Sequence, residues 1–251
     1  MKQLLLLILT LLTLTYSVFA QEQSQIQFDT ITVKNGYKFK NNYELYLAYQ
    51  CIYPINDTAP INKIRLKIIR NFFCYGDTLN LSLNDARHHY EKDIINEIAN
   101  YPRIDTATAW NGHNSDELYS AIRIVNKKVL TFIRKSYWNR GHTAHGGIKV
   151  VSTNFDLLTG DIIAIDDLFA ENSKPAVLKI MRKNLAEQNI PAGSVNSASL
   201  TDNFMILPKG LKFFFDEYEI APYSYGRIEA IIKYSEFAHL LKPSARQYFY
   251  E

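Results

Sequence analysis

Residues 117–138 leave the chain the least freedom. Glu117 to Val125 and Lys128 to Trp138 are both rich in Ile, Val, Leu and Phe, and only Asn126-Lys127 separates them. A parallel crossover needs a dozen or more residues, so a two-residue link forces these runs into an antiparallel hairpin. Ile148 to Phe155 supplies a further strand after a Gly-containing loop, and Thr159-Gly160 turns the chain into Ile162 to Ile165. A second hairpin follows, in which Phe204 to Leu207 and Leu211 to Phe215 flank Pro208-Lys209-Gly210, with a strand over Ile228 to Lys233 and a short helix at Ser235 to Leu241. Between them a helix starts at Ser173, runs to about Gln188 and is ended by Pro191 and Gly193.

The upstream half reads as a smaller unit of the same kind. Leu45, Leu47, Tyr49 and Cys51 alternate with Glu44, Tyr46, Ala48 and Gln50, which is strand periodicity, and the run ends near Pro54. Pro60 suits a first helical turn, and Ile61, Ile64, Ile68 and Phe72 then recur at helical spacing. Ser82 and Asp85 form a capping-box-like start to a second helix through Ala86, Tyr90, Ile94 and Ile98, which stops at Pro102. Residues 102–116 carry turn chemistry without an apolar period and read as a connector. Strands that pair mostly with their neighbours, with helices grouped between them, define an α+β protein with antiparallel sheets and helices packed on one face. The expected division is a leader over residues 1–20, a first unit over 21–105 and a second over 116–243.

Met1-Lys2-Gln3 begins the chain, Leu4 to Leu14 is nearly continuous Leu, Ile and Thr, and Val18-Phe19-Ala20 offers a cleavage site after Ala20. This is the pattern of a signal peptide; read as an anchor, it falls short of the roughly 20 apolar residues of a membrane span. No transmembrane anchor is expected after cleavage, and the product is expected to be periplasmic or extracellular. The formal charge of +3 drops to +2 once Lys2 leaves with the leader. Neither that balance nor any basic run suits a nucleic-acid partner. Export also affects Cys51, which lies in the first strand, and Cys74, which closes the first helix: an oxidising compartment favours a structural disulfide between them, the alternative being two buried thiols.

Several motifs carry a resemblance. Asn154-Phe155-Asp156-Leu157-Leu158-Thr159-Gly160, then Asp166-Asp167-Leu168-Phe169, then the run from Gly210 through Asp216-Glu217-Tyr218-Glu219 to Pro222-Tyr223 with Gly226, resemble the extracytoplasmic C-terminal domain of RsiV-type anti-sigma factors over residues 130–243. Residues 43 to about 100 resemble, more weakly, the domain that precedes it there and that also accompanies PdaC-type peptidoglycan deacetylases. The C-terminal domain is mostly of unknown function in that family. In the anti-sigma factor the resemblance implies a lysozyme-binding receptor; in the deacetylase it implies a part accessory to a separate catalytic domain. No stretch resembles the deacetylase metal motif, and with residues 1–20 read as a leader no sigma-binding segment is expected. The chain also carries His142-Thr143-Ala144-His145 where the family usually has Gly-Gly-Ala-His.

The candidate site is the segment after the strand at Leu211 to Phe215. Asp216, Glu217 and Glu219 gather negative charge beside Tyr218, Tyr223 and Tyr225, while Pro222 and Gly226 shape the loop. Carboxylates flanked by tyrosine hydroxyls can bind a sugar or a basic partner, or serve acid–base chemistry; they can equally form a structural corner in which Glu219 accepts backbone N–H bonds. His145, with His142 and Arg140 nearby, is a loop histidine without metal-ligand spacing. No cofactor or metal is expected. Two functional classes stand: an exported binding or sensing module, its partner a cell-wall glycan or a lysozyme-like protein, and a small envelope hydrolase using Glu219 with His145. A basic partner would have to be met by local acids, Asp216, Glu217 and Glu219 with Asp161, Asp166 and Asp167.

Overall fold

The structure, a computed structural model, describes residues 25–73, 81–104, 112–141 and 143–249. Its first sheet has the order β1-β2-β3-β4-β5, built from Phe28–Lys38, Glu44–Pro54, His113–Val125, Val129–Asn139 and Gly147–Asp156. The constraining hairpin is β3–β4, in register from Val125 opposite Val129 to Ser115 opposite Asn139. Asn126 and Lys127 adopt φ of 44° and 57°, the left-handed pair that a two-residue hairpin turn requires. Every neighbouring pair in this sheet is antiparallel except β2–β3, which runs parallel from Glu44 opposite His113 to Gln50 opposite Tyr119. That pairing requires a long crossover, and the chain supplies it with α1, Ala59–Phe72, and α2, Leu83–Ala99. Ser82 caps α2 by accepting from the Asp85 amide, as the spacing predicts.

The connector at residues 102–116 therefore does not divide the sheet. The stretches 21–105 and 116–243 both contribute strands to it, and they share a core in which Leu118, Leu130, Phe132 and Phe155 pack with Leu45, Leu47, Ile64 and Ile68. β1 lies outside every pattern read from the sequence. As an edge strand it turns only Ile31, Val33 and Tyr37 toward the core, and the remainder is polar or exposed. The expected leader at residues 1–20 lies outside the described residues. Among the described residues no helix is long and apolar enough to cross a membrane.

The second sheet, in the order β6-β7-β8, is built from Phe204–Leu207, Gly210–Phe215 and Ile228–Lys233. It is covered by α3, Ile165–Leu168, α4, Lys174–Ala186, α5, Ala192–Ser197, and α6, Tyr234–Phe237. α5 is a short helix beyond the stop expected at Pro191; the same proline stands as its N-cap. Val177, Met181 and Leu185, one face of α4, share a core with Phe213, Phe215, Ala230 and Ile232. Gly160 fixes where the two halves touch. Its φ is +72°, and a Cβ there would lie 2.5 Å from the Pro60 carbonyl at the start of α1.

One buried amide sews the sheets together. Asn154, 1% exposed on β5, donates from Nδ2 to the Phe204 carbonyl at 2.8 Å. Its Oδ1 accepts from the Ile206 amide at 3.0 Å and from Thr131 Oγ1 at 2.9 Å. β6, paired with β7 in its own sheet, thus also hangs on a side chain of the first sheet.

Cys51 is fully buried, and burial pushes the ionisation of its thiol up to about 12. Cys74 lies outside the described residues, so the bridge between the two stands as a proposal for intact-mass measurement. Several tyrosines are likewise held protonated. Burial and a hydrogen bond to Glu97 push Tyr101 up to about 12, a hydrogen bond to Glu117 and burial do the same for Tyr119, and Tyr49 and Tyr248 are raised further by burial and by Glu91 and Asp156. In the unfolded chain such phenols ionise near 10. The native state therefore holds more protons above that pH, and its stability falls as pH rises through 12. In an alkaline titration followed at 295 nm, these four phenols are expected to ionise together with loss of structure, later than the exposed tyrosines.

Candidate functional site

β5 is the outer strand of the first sheet, and an unpaired edge invites association with other chains. Here side chains occupy it. Asp216 Oδ1 accepts from the Val150 amide at 3.0 Å; Asn203 accepts from the Ser152 amide at 2.9 Å and donates to the Val150 carbonyl at 2.8 Å. Asn203 thus makes the pair of bonds that a neighbouring strand would make. The chain then closes into a turn, in which the Glu219 amide donates to the Asp216 carbonyl at 3.1 Å and Glu219 Oε2 accepts from the Asp216 amide at 2.9 Å. Asp216 and Glu219 are therefore held by backbone amides, as a structural corner requires. Glu217 follows Asp216 on the same turn, partly exposed.

The same turn drives Tyr218 outward. Its φ is +66°, a conformation that costs a non-glycine residue of order 1 kcal/mol or more, and its side chain is 63% exposed. Tyr223, 37% exposed, opens a single helical turn that ends at Gly226 with φ 61°. Beside them stands His145. Its ring stacks on Tyr223 with centroids 4.1 Å apart and planes at 23°, and on Tyr218 at 6.1 Å and 25°; Tyr218 and Tyr223 lie 5.7 Å apart. His145 Nε2 is 3.1 Å from the Tyr218 hydroxyl. His145 and two tyrosines more than 70 residues further along the chain thus form one exposed aromatic surface. His142 lies outside the described residues.

The loop that carries His145 is anchored from beneath. Arg140 donates to Glu97 at 2.9 and 3.2 Å, to Asp116 Oδ2 at 2.9 Å and to the Ser115 carbonyl at 3.1 Å. Tyr90 donates to Asp116 and Tyr101 to Glu97, which extends the network through α2. From Arg140 the loop closes on itself: its carbonyl accepts from Thr143 N and Oγ1, both at 2.8 Å, and Thr143 Oγ1 also lies 3.0 Å from the His145 carbonyl. Sequence reasoning named Arg140 only as a neighbour of the histidines. A charge chain of Glu97, Asp116 and Arg140 has no local spacing to reveal it, because its members come from a helix, a strand and a loop.

The expected pairing of Glu219 with His145 is not formed. The Glu219 carboxylate is bound to the Asp216 amide and lines an open depression of about 760 Å³ along the β5 edge, whereas His145 is bound to the tyrosines. The outlying acids are also engaged. Asp161 pairs with Lys63 at 2.5 Å, Asp166 with Lys174 at 2.5 Å, and Asp167 accepts from the Ala164 amide at 2.8 Å. Among the described residues no group of three or more His, Cys, Asp or Glu side chains could hold a metal ion.

The α+β fold with its stacked-ring turn can be set beside known proteins. A family model described as a protein of unknown function, DUF3298, matches residues 166–235, the stretch that builds the second sheet and the Asp216–Gly226 segment. A crystal structure of a DUF3298 family member from Bacteroides fragilis superposes with a TM-score of 0.73 at 20% identity, covering 86% of this chain and 94% of that one. A DUF3298 family protein from Pseudomonas aeruginosa PAO1 gives 0.63 at 16% identity, covering 88% and 97%. At these identities the likeness is one of fold. No curated protein matches the chain.

Proposed function

We propose that this protein is an exported, non-catalytic module of the cell envelope that binds glycan of the peptidoglycan type through the surface formed by His145, Tyr218 and Tyr223. The observation that carries this reading is the stack itself: three exposed rings, held by a turn that accepts a left-handed tyrosine to present one of them. Aromatic faces take up the C–H face of a sugar, while the tyrosine hydroxyls and Glu217 offer hydrogen bonds to its hydroxyls. The resemblance to RsiV-type and PdaC-type domains supports an envelope setting. A lysozyme-like partner is the second reading. It is supported less well, because Asp161 and Asp166 are already paired with lysines and Asp167, Asp216 and Glu219 each have one oxygen bound to a backbone amide.

Residues 21–251 are expected to co-sediment with purified peptidoglycan. Replacing Tyr218 and Tyr223 together by Ala is expected to weaken binding about tenfold, at roughly 0.5–1.5 kcal/mol per aromatic contact. Retention of full affinity by that double variant would overturn the reading. Capture of lysozyme that fades with salt and with Glu217→Gln would select the protein partner. Release of new reducing ends, abolished by Glu219→Gln, would select a hydrolase.

A further inference from the structure

Besides completing the stack, His145 settles which way the hydrogen bonds at its edge run. Nδ1 lies 2.8 Å from the Gly146 carbonyl oxygen, which can only accept, so the hydrogen-bond network assigns the proton of the neutral imidazole to Nδ1. Nε2 is then left with a lone pair, and in its 3.1 Å contact with the Tyr218 hydroxyl it is Tyr218 that donates. The backbone supports both partners. Gly146 sits so close to β4 that a Cβ there would lie 2.5 Å from the Trp138 carbonyl, while the turn that sets Tyr218 at φ +66° carries the hydroxyl. Tyr218 therefore meets a ligand with its one proton already committed. What its oxygen offers is a lone pair, at the margin of the exposed rings of Tyr218 and Tyr223.

A ligand that suits this pairing carries an N–H or O–H donor directly beside apolar atoms, the donor for the oxygen and the apolar atoms for the ring faces. Groups that can only accept, such as ethers and carboxylates, are refused there. Asp216, Glu217 and Glu219 on the same turn add repulsion against a carboxylate. Resting on the glycan reading above, we propose that the group recognised on the sugar is an acetamido substituent, its N–H donated to Tyr218 Oη and its methyl laid on the rings. His145 is the positioning residue that keeps Tyr218 an acceptor. A sugar hydroxyl or a free amine supplies the donor but not the methyl, so the class selected is N-acetylated glycan over plain glucan or glucosamine polymer.

The test is an NMR titration of residues 21–251, in mildly alkaline buffer that keeps imidazoles neutral, with the β-1,4-linked tetramers of N-acetylglucosamine, glucose and glucosamine. The acetylated tetramer is expected to bind about fivefold more tightly than the other two, the worth of one hydrogen bond. Tyr218→Phe keeps the ring and removes the accepting oxygen, so it is expected to erase that preference and leave weak binding of all three. His145→Phe keeps a ring but returns the Tyr218 proton, and is expected to cut the preference about twofold, where a residue that only stacks would leave it unchanged. An unchanged spectrum away from residues 140–146 and 216–226 verifies the fold of both variants. Two-bond ¹H–¹⁵N correlations of the His145 ring are expected to show Nδ1 protonated and Nε2 bare. Equal affinities for the three tetramers, binding of none, an unaltered preference in Tyr218→Phe, or a proton on Nε2 in place of Nδ1 would each overturn the assignment. Peptidoglycan co-sedimentation measured alongside separates the two readings: if it persists, only the acetamido assignment falls, and if it too is absent, the glycan reading falls with it.

Discussion

Asn154→Ala is expected to destabilise the protein by about 3–5 kcal/mol, because it strands the Phe204 carbonyl and the Ile206 amide, and each buried unsatisfied group costs about 1–3 kcal/mol. Thr131 loses its partner as well. Asn154→Leu is expected to be no better: filling the volume does nothing for partners that belong to the backbone of another strand. Urea unfolding followed by circular dichroism measures the loss. A fall of less than 1 kcal/mol would mean that water or a shifted β6 replaces the amide. The location of the damage is as informative as its size. β6 is anchored to the first sheet by this side chain, so amide exchange is expected to accelerate first in Phe204–Leu207 and only later in β3 and β4.

The second large effect lies at Arg140. Its side chain is 12% exposed and that of Asp116 10%, and removing one partner of a buried pair costs about 3–5 kcal/mol because the remaining charge has no compensation. Arg140→Met is expected to lose that much, and Asp116→Asn added to it is expected to recover part, since the stranded charge is then gone. Additive losses in the double variant would argue against the pair as the source. Arg140→Met is also expected to weaken glycan binding while Tyr218 and Tyr223 remain in place, because the Arg140 side chain ties the start of the loop that carries His145 to Glu97, Asp116 and the Ser115 carbonyl. Lys at 140 retains the charge but not the fork that reaches Glu97, Asp116 and the Ser115 carbonyl at once, so rescue by Arg140→Lys is expected to be incomplete.

Local patterns carried most of the architecture. Asn126-Lys127 and Pro208-Lys209-Gly210 announced their hairpins, Ser82 with Asp85 announced a helix start, and the apolar spacing of Ile61, Ile64, Ile68 and Phe72 is the buried face of α1. What stayed hidden was long-range. β1 has too little apolar alternation to be seen, and nothing in the sequence shows that β2 pairs with β3 rather than closing a sheet of its own. The candidate site was legible in part for the same reason. Residues 216–223 stood out as a cluster, and the backbone-capping role weighed for Glu219 is the one it takes. That His145 would stack on those tyrosines depends on how the 140–146 loop is tied down, which three distant residues decide. That Asp216 serves the edge of β5 was hidden too, since its partner Val150 lies 66 residues away.

The parallel pairing of β2 with β3 also sets a timetable. As the chain emerges from its N-terminus, β1, β2 and the two crossover helices are complete before any residue of β3 exists, and closing so long a loop carries a large entropic cost. Until Glu44 meets His113, β2 has one unsatisfied side and α1 and α2 cover only part of a core. The late hairpin is therefore the clasp that finishes the early half, and non-local pairing of this kind is expected to slow folding and to leave an unfinished sheet exposed until it forms.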